Sequence, residues 1–376
     1  MKKKTLISES LAAGILLGMS VAPAVARIEK QHGLTAAADS AVTSTGWKYT
    51  YYDDHCEITG CTSDLQGDVT VPKQLSVQGT ILPVTKITSS FFSSGDKRNY
   101  ITSMTIPASI KVIESSAFWK MSNLKSVTFK GGILVLETSL FSDCKNLEKV
   151  ELPDSLMEIG ARAFSGCSKL SEITIPSSVG TIGSNAFRDC TSLKQITVPE
   201  GVTEIPSNCF NGCAALESAE LKGGESVGEY AFAGCSSLKE LTFPASCRRV
   251  NSPMMFSDCT ALRKITFENP ECTINFVSGT EENSLTVCGY EGSTAQAYCE
   301  KYSEGKYLVF RKLDAQGTEE PVEPVTDTGM FCDADGNGDI DVADAQLVLT
   351  YYVKKMAGKE PSWYEITKNP KAPDAP

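Results

Sequence analysis

The sequence predicts an α/β repeat solenoid with short parallel strands, followed by a small module that combines a cation-binding loop with a helix. Three observations support this prediction. Apolar residues recur in phase at intervals of 22 to 24 residues across positions 101–270. Each unit contains a short stretch of alternating apolar and polar residues, which is typical of a β-strand. Near the C-terminus, acidic and amide residues are spaced like the ligands of a hard cation.

Five apolar columns define the repeat. The first column consists of Phe118, Phe141, Phe164, Phe187, Phe210, Phe232 and Phe256. Three positions after each phenylalanine, every unit except the first has a cysteine. A leucine and two strand positions, such as Ile173 and Ile175, complete the unit, and a proline often follows. One unit cannot bury its apolar side alone, so the copies are expected to stack into a continuous core with a parallel sheet on one face.

The cysteine column predicts buried free thiols rather than disulfides. Cys144, Cys167, Cys190, Cys213, Cys235 and Cys259 share one phase of the repeat, and a free cysteine behaves as a small apolar residue. Cys209 and Cys247 stand where other units have alanine and valine, so they are predicted to be core residues too. Cys56 and Cys61 lie outside the repeat, and their pairing across a tight loop is left open. The disulfide state of Cys272, Cys288 and Cys299 is also open.

The strand alternation places one residue of each unit on an outward face, where solenoids usually bind partners. The candidate contact residues are Thr128, Glu151, Thr174, Thr197, Glu220, Thr242 and Thr266. The alternative interpretation of the threonines is simple β-propensity and packing between strands.

The segments Ile173-Thr174-Ile175-Pro176-Ser177-Ser178-Val179 and Ala186-Phe187-Arg188-Asp189-Cys190 resemble the BspA-type leucine-rich repeat of bacterial surface and secreted proteins. The resemblance covers roughly residues 45 to 312. The stretch 46–72 resembles the N-terminal strand cap of the family, and 287–298 resembles its closing cap, which ends in a short helix. The resemblance implies a leucine-rich-repeat solenoid that binds a protein or a surface, without identifying the ligand.

The acidic stretch 333–344 fits a twelve-residue calcium loop of the EF-hand type. The proposed metal residues are Asp333, Asp335, Asn337, Asp339, Asp341 and Asp344, with Asp339 contributing its backbone carbonyl. Gly338 occupies position 6, where the loop turns sharply, and Asp344 replaces the usual glutamate at position 12. Calcium is therefore the expected cofactor.

This loop and the apolar helix that follows it resemble one segment of a type I dockerin, a module that binds cohesin domains of cellulosome scaffolds. By that resemblance, Val342 and Ala343 are candidate cohesin contacts, with Thr350 on the exposed helix side. A dockerin normally carries two such segments and only one is readable here. The chain therefore contains either a half module or one whose second segment lacks ligands. A calcium-dependent helix that pairs with another chain is the alternative.

These features give the predicted domain organisation. It consists of a signal peptide at 1–26, an N-terminal cap with a first irregular repeat at 27–100, repeats at 101–270, a C-terminal cap at 271–313, an acidic Pro-rich linker at 314–329, the dockerin-like calcium segment at 330–358 and a tail at 359–376. The signal peptide is inferred from Lys2, Lys3 and Lys4, a short apolar run and the cleavage site Ala24-Val25-Ala26. The mature chain is expected to be secreted, outside the cell or held at a surface through a scaffold.

Composition and motifs favour binding over catalysis. The net charge of -11 disfavours nucleic acid and anionic membranes as partners. Histidine occurs only at positions 32 and 55, and metalloprotease, hydrolase-elbow and phosphate-loop motifs are absent from the sequence. The leading hypothesis is a non-catalytic binding protein tethered to a cohesin-bearing scaffold. The alternatives are a stand-alone adhesin and an accessory subunit in polysaccharide degradation.

Overall fold

A computed structural model describes residues 39–275, 284–302 and 308–320. It confirms the predicted leucine-rich-repeat solenoid with parallel strands, of about nine turns. The N-terminal strands are β1 (Asp39–Val42), β2 (Trp47–Tyr51), β3 (Cys56–Cys61), β4 (Gly67–Thr70), β5 (Gln74–Val77) and β6 (Thr80–Ile87). Five of these strands form a sheet in the order β1-β2-β3-β6-β5, in which β3 and β6 are parallel. A 3-10 helical segment, Ser89–Tyr100, then leads into the repeats.

The first strand of each turn falls on the predicted alternating stretch. Together with β4, these strands form the first ladder: β7 (Ile101–Ile106), β9 (Ser126–Phe129), β11 (Lys149–Glu151), β14 (Gln195–Val198), β16 (Ser218–Leu221), β18 (Glu240–Phe243), β20 (Lys264–Phe267), β22 (Leu285–Gly289) and β23 (Leu308–Lys312). The hydrogen-bonded runs are β4-β7-β9-β11, β14-β16 and β18-β20-β22-β23, and all their pairs are parallel. Pro107, Pro199 and Pro244 directly follow strands, as expected for a residue without a backbone donor.

The prediction of a strand in every repeat is wrong at one position. Residues 173–175 form no strand, although Ile173 and Ile175 are buried in the same way as their equivalents. Period-two alternation reports which side chains face the core, and it does not require ladder hydrogen bonds on both sides. The interruption therefore separates the run ending at β11 from the pair β14-β16 without breaking the core.

A second ladder, which the sequence analysis missed, lies on another side of the solenoid. Its strands are β8 (Val112–Ile113), β10 (Val135–Leu136), β12 (Glu158–Ile159), β13 (Thr181–Ile182), β15 (Glu204–Ile205), β17 (Ser226–Val227), β19 (Arg249–Asn251) and β21 (Thr273–Asn275). Most are two residues long, which is too short for alternation to be recognised in sequence. A glycine closes several of them. A Cβ atom on Gly183 would lie 2.4 Å from the backbone nitrogen of Ala161, so the neighbouring turn leaves no room for a side chain.

The phenylalanines of the repeat stack along the core. Ring centroids of Phe141, Phe164, Phe187 and Phe210 follow one another at 5.4–5.6 Å, with interplanar angles near 10°. Phe91 extends the column by one member and meets the ring of Phe118 edge-on at 5.6 Å. Phe91 could not be recognised from the repeat spacing, because the 3-10 segment adds residues between it and Phe118.

The cysteine column is buried, as predicted. Cys144, Cys167, Cys190, Cys213 and Cys235 are inaccessible to solvent, and Cys259 is half-buried. Each of these six thiols donates a hydrogen bond to the carbonyl oxygen of a phenylalanine in the preceding turn, at 3.0–3.2 Å. Cys209 and Cys247 are buried too, which confirms them as core residues.

All thirteen cysteines of the described part of the chain are free thiols. A disulfide between Cys56 and Cys61, which the sequence left open, is excluded by their positions. The two residues begin and end the same strand, β3, so about 16 Å separates their Cα atoms at the usual rise per residue. A disulfide requires Cα atoms within about 7 Å.

The C-terminal end of the solenoid is closed by the helix α1 (Thr294–Tyr302) beside β22 and β23, in the segment expected to form the closing cap. Ala295, Tyr298 and Cys299 form its buried side. After β23 the chain turns back, and Leu313 forms an antiparallel bridge with Glu319. This returning segment lies next to the last strands of the first ladder, which affects the candidate site.

Candidate functional site on the outer face

The outer face is formed by the residues of the first ladder that alternate with the core positions. In β14, Ile196 and Val198 are buried while Thr197 between them is exposed, and β18 has the same pattern around Thr242. Parallel pairing in register then aligns equivalent residues of adjacent turns, as Thr197 with Glu220 and Thr242 with Thr266. The face is thus a direct consequence of the alternation read from the sequence.

The structure leaves most of the predicted contact residues accessible. Glu151, Thr174, Thr197, Glu220 and Thr242 are exposed, and Thr128 is half-buried. Thr266 departs from the expectation of an exposed contact residue, because only 9% of it is accessible. Cys288, which pairs with Thr266 on the next strand of the ladder, is buried. Glu319 of the returning segment forms an ion pair with Lys264, two residues before Thr266.

Five of the seven predicted residues line one shallow groove of about 1000 Å³ that runs across successive turns. They are Thr174, Thr197, Glu220, Thr242 and Thr266. Glu151 lines an adjoining groove of about 430 Å³, which also includes Thr174. Thr128 contributes to neither groove. The smaller groove lies at the interrupted part of the ladder, where residues 173–175 form no strand, and the larger one extends from there to Glu268.

Two further charged residues line the groove and were not identified from the repeat pattern. Lys222 and Glu268 each come directly after a core position of the strand, where other units carry proline. Pro107, Pro153 and Pro199 are buried at this position, so it is a surface position only in some units. The signal that could have identified it is the occurrence of charged residues in that phase. The two grooves together contain six carboxylates and three lysine ammonium groups, so they are acidic.

Several polar groups of the outer face interact with one another, either within one strand or between neighbouring turns. The hydroxyl of Thr197 donates to a carboxylate oxygen of Glu220 at 2.9 Å, and Lys149 lies 2.8 Å from Glu151. Hydrogen bonds from Lys149 and Thr128 hold the pKa of Glu151 below its ordinary value. Some threonines are therefore used within the molecule, which favours the packing interpretation at those positions, while Thr174 and Thr242 present exposed side chains.

The N-terminal cap carries the one histidine in the described part of the chain. The His55 ring stacks on Tyr52, with centroids 4.7 Å apart, and its Nδ1 lies 2.6 Å from Asp54 Oδ1. The adjacent Cys56 is buried in the core. Lys86 connects Glu57, at 3.7 Å, with Glu114, at 2.6 Å, in the same region. Glu114, which directly follows β8, also accepts the amide of Ser89 at the start of the 3-10 segment, so these contacts join β3 and β6 to both elements.

The proposed calcium and cohesin residues lie outside the described residues, as do the signal peptide and most of the linker. The affected site residues are Asp333, Asp335, Asn337, Asp339, Asp341, Val342, Ala343, Asp344 and Thr350. Within the described ranges, histidine, cysteine and acidic residues form no group arranged to hold a metal ion. Among the helices of these ranges, none has the length and apolar character needed to cross a membrane.

Comparison with known proteins points to one family. A family model described as BspA type leucine rich repeat region matches six copies in this chain, over residues 85–217 and 158–278. No curated protein matches the chain. A leucine-rich repeat protein from T. pallidum is 28% identical, covering 54% of this chain and 90% of that one, with a TM-score of 0.43.

Two other solved leucine-rich proteins are similar to this chain. A leucine-rich repeat protein from Bacteroides ovatus is 23% identical, covers 68% of this chain and 70% of that one, and gives a TM-score of 0.49. A leucine rich cell surface protein from Faecalibacterium prausnitzii is 21% identical, with coverages of 70% and 98% and a TM-score of 0.27. The family model spans more than half of the sequence, and its boundaries fall on the stacked turns described above. This chain belongs to the BspA-type leucine-rich repeat family.

Proposed function

We propose that this protein is a non-catalytic binding protein whose outer face contacts a protein or surface partner outside the cell. The observation that supports the proposal is the shallow groove that crosses successive turns and collects five predicted contact residues. A solenoid presents such a face as an extended surface, and it is the usual binding surface of repeat proteins. The excess of carboxylates favours a partner whose contacting side is basic or polar.

Catalysis by the repeated cysteines is disfavoured by their environment. A nucleophilic cysteine needs access to substrate and a readily formed thiolate. The ladder thiols are buried against backbone carbonyls, and burial raises the pKa of Cys144 and Cys259 to about 12. These thiols therefore support a packing role.

The outer face can be tested with a charge-introducing double variant. The full chain would be screened against an array of purified extracellular proteins, and any bound protein tested again with Thr197→Arg/Thr242→Arg. Both positions are exposed, so the fold should be retained. Loss of at least tenfold in affinity is expected, whereas Arg188→Glu, on the phenylalanine-bearing segment, should bind as the parent does. Equal binding by the double variant would contradict the proposal.

A second proposal concerns the C-terminal segment and rests on its sequence alone. The spacing of oxygen ligands in 333–344 supports calcium binding, and the helix that follows supports docking onto a cohesin domain of a cellulosome scaffold. A pull-down with a cohesin panel, with and without a calcium chelator, tests this tether. Binding that requires calcium and is lost in Asp333→Ala/Asp335→Ala is expected. If no cohesin is retained, the stand-alone adhesin becomes the better hypothesis.

The remaining alternative is an accessory role in polysaccharide degradation. Its support is the link between dockerin-like segments and cellulosomes, and it therefore depends on the cohesin result. Release of soluble sugars from plant polysaccharide by the purified chain would replace the binding hypothesis with an enzymatic one.

A further inference from the structure

Two buried thiols, Cys247 and Cys272, contact each other between neighbouring turns near the C-terminal end of the solenoid. Their Sγ atoms are 3.9 Å apart, and neither residue is accessible to solvent. This contact differs from the cysteine ladder, in which each thiol donates to a phenylalanine carbonyl at 3.0–3.2 Å. The carbonyl contacts of Cys247 and Cys272 are longer, at 4.0 Å to Arg249 and 3.8 Å to Thr273.

The backbones of the two cysteines are adjacent. The amide of Cys247 donates to the carbonyl of Pro244 at 2.8 Å, and that of Cys272 donates to Asn269 at 3.2 Å, so both residues close the same kind of turn. The side chain of Asn269 also donates to the carbonyl of Cys247 at 2.8 Å. The strands that follow, β19 and β21, are paired in parallel.

The strand register pairs Arg249 with Thr273, so Cys247 and Cys272 are offset by one residue from directly facing positions. Their side chains nevertheless meet, and the 3.9 Å between the Sγ atoms must shorten to about 2 Å for a bond to form. The contact distinguishes this pair from Cys56 and Cys61, which occupy the two ends of one strand. Packing alone does not require sulfur here, because Val179 and Val202 fill the equivalent position of other turns.

We infer that Cys247 and Cys272 form a disulfide between turns when the chain is exposed to a disulfide-bearing oxidant, either an oxidoreductase or a small disulfide. In this exchange one cysteine thiolate attacks a sulfur of the donor and releases the first donor thiolate. The second cysteine then attacks the mixed disulfide, forms the Cys247–Cys272 bond and releases the second donor thiolate. The two cysteines are oxidised, the donor is reduced to two thiols, and the two cysteine protons end on the released sulfurs.

Because both thiols are inaccessible in the folded chain, the donor meets them during folding, and either cysteine can make the first attack. The bond would close a loop from residue 247 to residue 272 and join covalently two turns that are otherwise held by non-covalent contacts, among them the strand pairing and the hydrogen bond from Asn269 to Cys247. Because solenoids unfold by losing contacts between adjacent repeats, this bond would stabilise the C-terminal end.

The test uses the full chain, unfolded under reducing conditions and refolded in a glutathione buffer poised to oxidise stable pairs. Refolding gives the oxidant access to both thiols before they are buried. Free thiols are then alkylated, and the digest is analysed by mass spectrometry. We expect a cross-linked peptide that contains Cys247 and Cys272, and a thermal midpoint about 5 °C higher than that of the reduced chain.

Two variants provide the controls. Cys247→Val introduces the valine that other turns carry at the equivalent position, so this variant should fold. It should show neither the cross-link nor the higher thermal midpoint after oxidation. Cys235→Ala removes a ladder thiol and should retain both. Recovery of Cys247 and Cys272 as alkylated thiols after refolding would overturn the inference, as would pairing of either residue with a different cysteine. An unchanged oxidative increase in Cys247→Val would also overturn it.

Discussion

The thiol of Cys190 donates a hydrogen bond to the carbonyl oxygen of Phe164 in the preceding turn, at 3.2 Å. The same carbonyl also accepts the backbone amide of Cys167, at 3.1 Å. A small apolar side chain could fill the position, but only one with a donor satisfies the second lone pair of this buried oxygen. The repeated cysteine is thus both a packing residue and a link between turns.

Cys190→Ala is expected to lower the free energy of unfolding by about 1–2 kcal/mol, because it leaves a small cavity and removes the donor. Chemical denaturation followed by far-UV circular dichroism measures the loss. Cys209→Ala is the matched control, since Ala117, Ala163 and Ala186 occupy the equivalent position of other turns. The control should cost less than 1 kcal/mol. Equal losses in the two variants would show that the thiol donor contributes nothing measurable.

Phe187→Ala is expected to cost about 3–5 kcal/mol, because the ring is fully buried and stacks on Phe164 at 5.4 Å and on Phe210 at 5.6 Å. Denaturant unfolding of the variant and the parent would measure the difference. The exposed Arg188 provides a control in Arg188→Ala, which should change stability by less than 0.5 kcal/mol. A cost below 1 kcal/mol for the phenylalanine would mean that its assignment to the core column is wrong.

The glycines on either side of β13 permit a comparison of two positions in one turn. Gly183→Ala is expected to destabilise the protein by more than about 2 kcal/mol, since its Cβ atom would lie 2.4 Å from the backbone of Ala161. At Gly180 the nearest atom would be 3.7 Å away, so Gly180→Ala should be neutral or stabilise by up to about 1 kcal/mol. Thermal unfolding distinguishes the two variants. Similar midpoints would argue against the close packing of adjacent turns.

The N-terminal cap should show a pH dependence that arises from Glu114. Burial opposes ionisation of this carboxyl, but hydrogen bonds from Lys86 and from the Ser89 amide outweigh it and lower its pKa. A carboxyl whose pKa is lower in the folded state stabilises the protein at pH values above its unfolded pKa of 4.5. This contribution is lost as the pH falls through the folded pKa.

Glu114→Gln keeps an acceptor for Ser89 and removes the charge, so it isolates this effect. We expect a loss of about 1 kcal/mol at pH 7 that becomes smaller toward pH 3. Unfolding midpoints of the parent and the variant, measured across that range, give the comparison. The exposed Glu200 provides the control variant Glu200→Gln, for which the difference should stay near zero. A difference for Glu114→Gln that does not change with pH would contradict the assignment.

The buried thiols should be unreactive in the folded protein. Burial raises the pKa of Cys144 to about 12, so the neutral thiol dominates at pH 8. Cys332 lies outside the described residues, and the assay therefore uses Cys332→Ser. We expect slow reaction of this variant with a coloured disulfide reagent under native conditions and rapid reaction after unfolding. Rapid native labelling of Cys144, located by peptide mapping, would show that the ladder is accessible.

The candidate site was predictable where it depends on alternation, and it was missed where it depends on distant segments. Thr197 and Thr242 are exposed because their neighbours in the strand are core residues, and both facts follow from the sequence pattern. The burial of Thr266 could not be predicted in this way. Its neighbours on the ladder, Lys264 and Cys288, contact Glu319, which stands more than fifty positions after Thr266 in the sequence.

The sequence by itself determined the repeat, the core columns and the outward residues, because a side chain that recurs in one phase of a stacked unit meets the same environment in every turn. It also determined that the repeated cysteines pack as thiols. Only the tertiary structure decided which groups of adjacent turns meet. The second ladder, the interruption at 173–175 and the contact between Cys247 and Cys272 depend on the spacing of those turns. Periodicity reports which way a side chain faces, whereas hydrogen bonds and sulfur contacts require distances that only the packed turns establish.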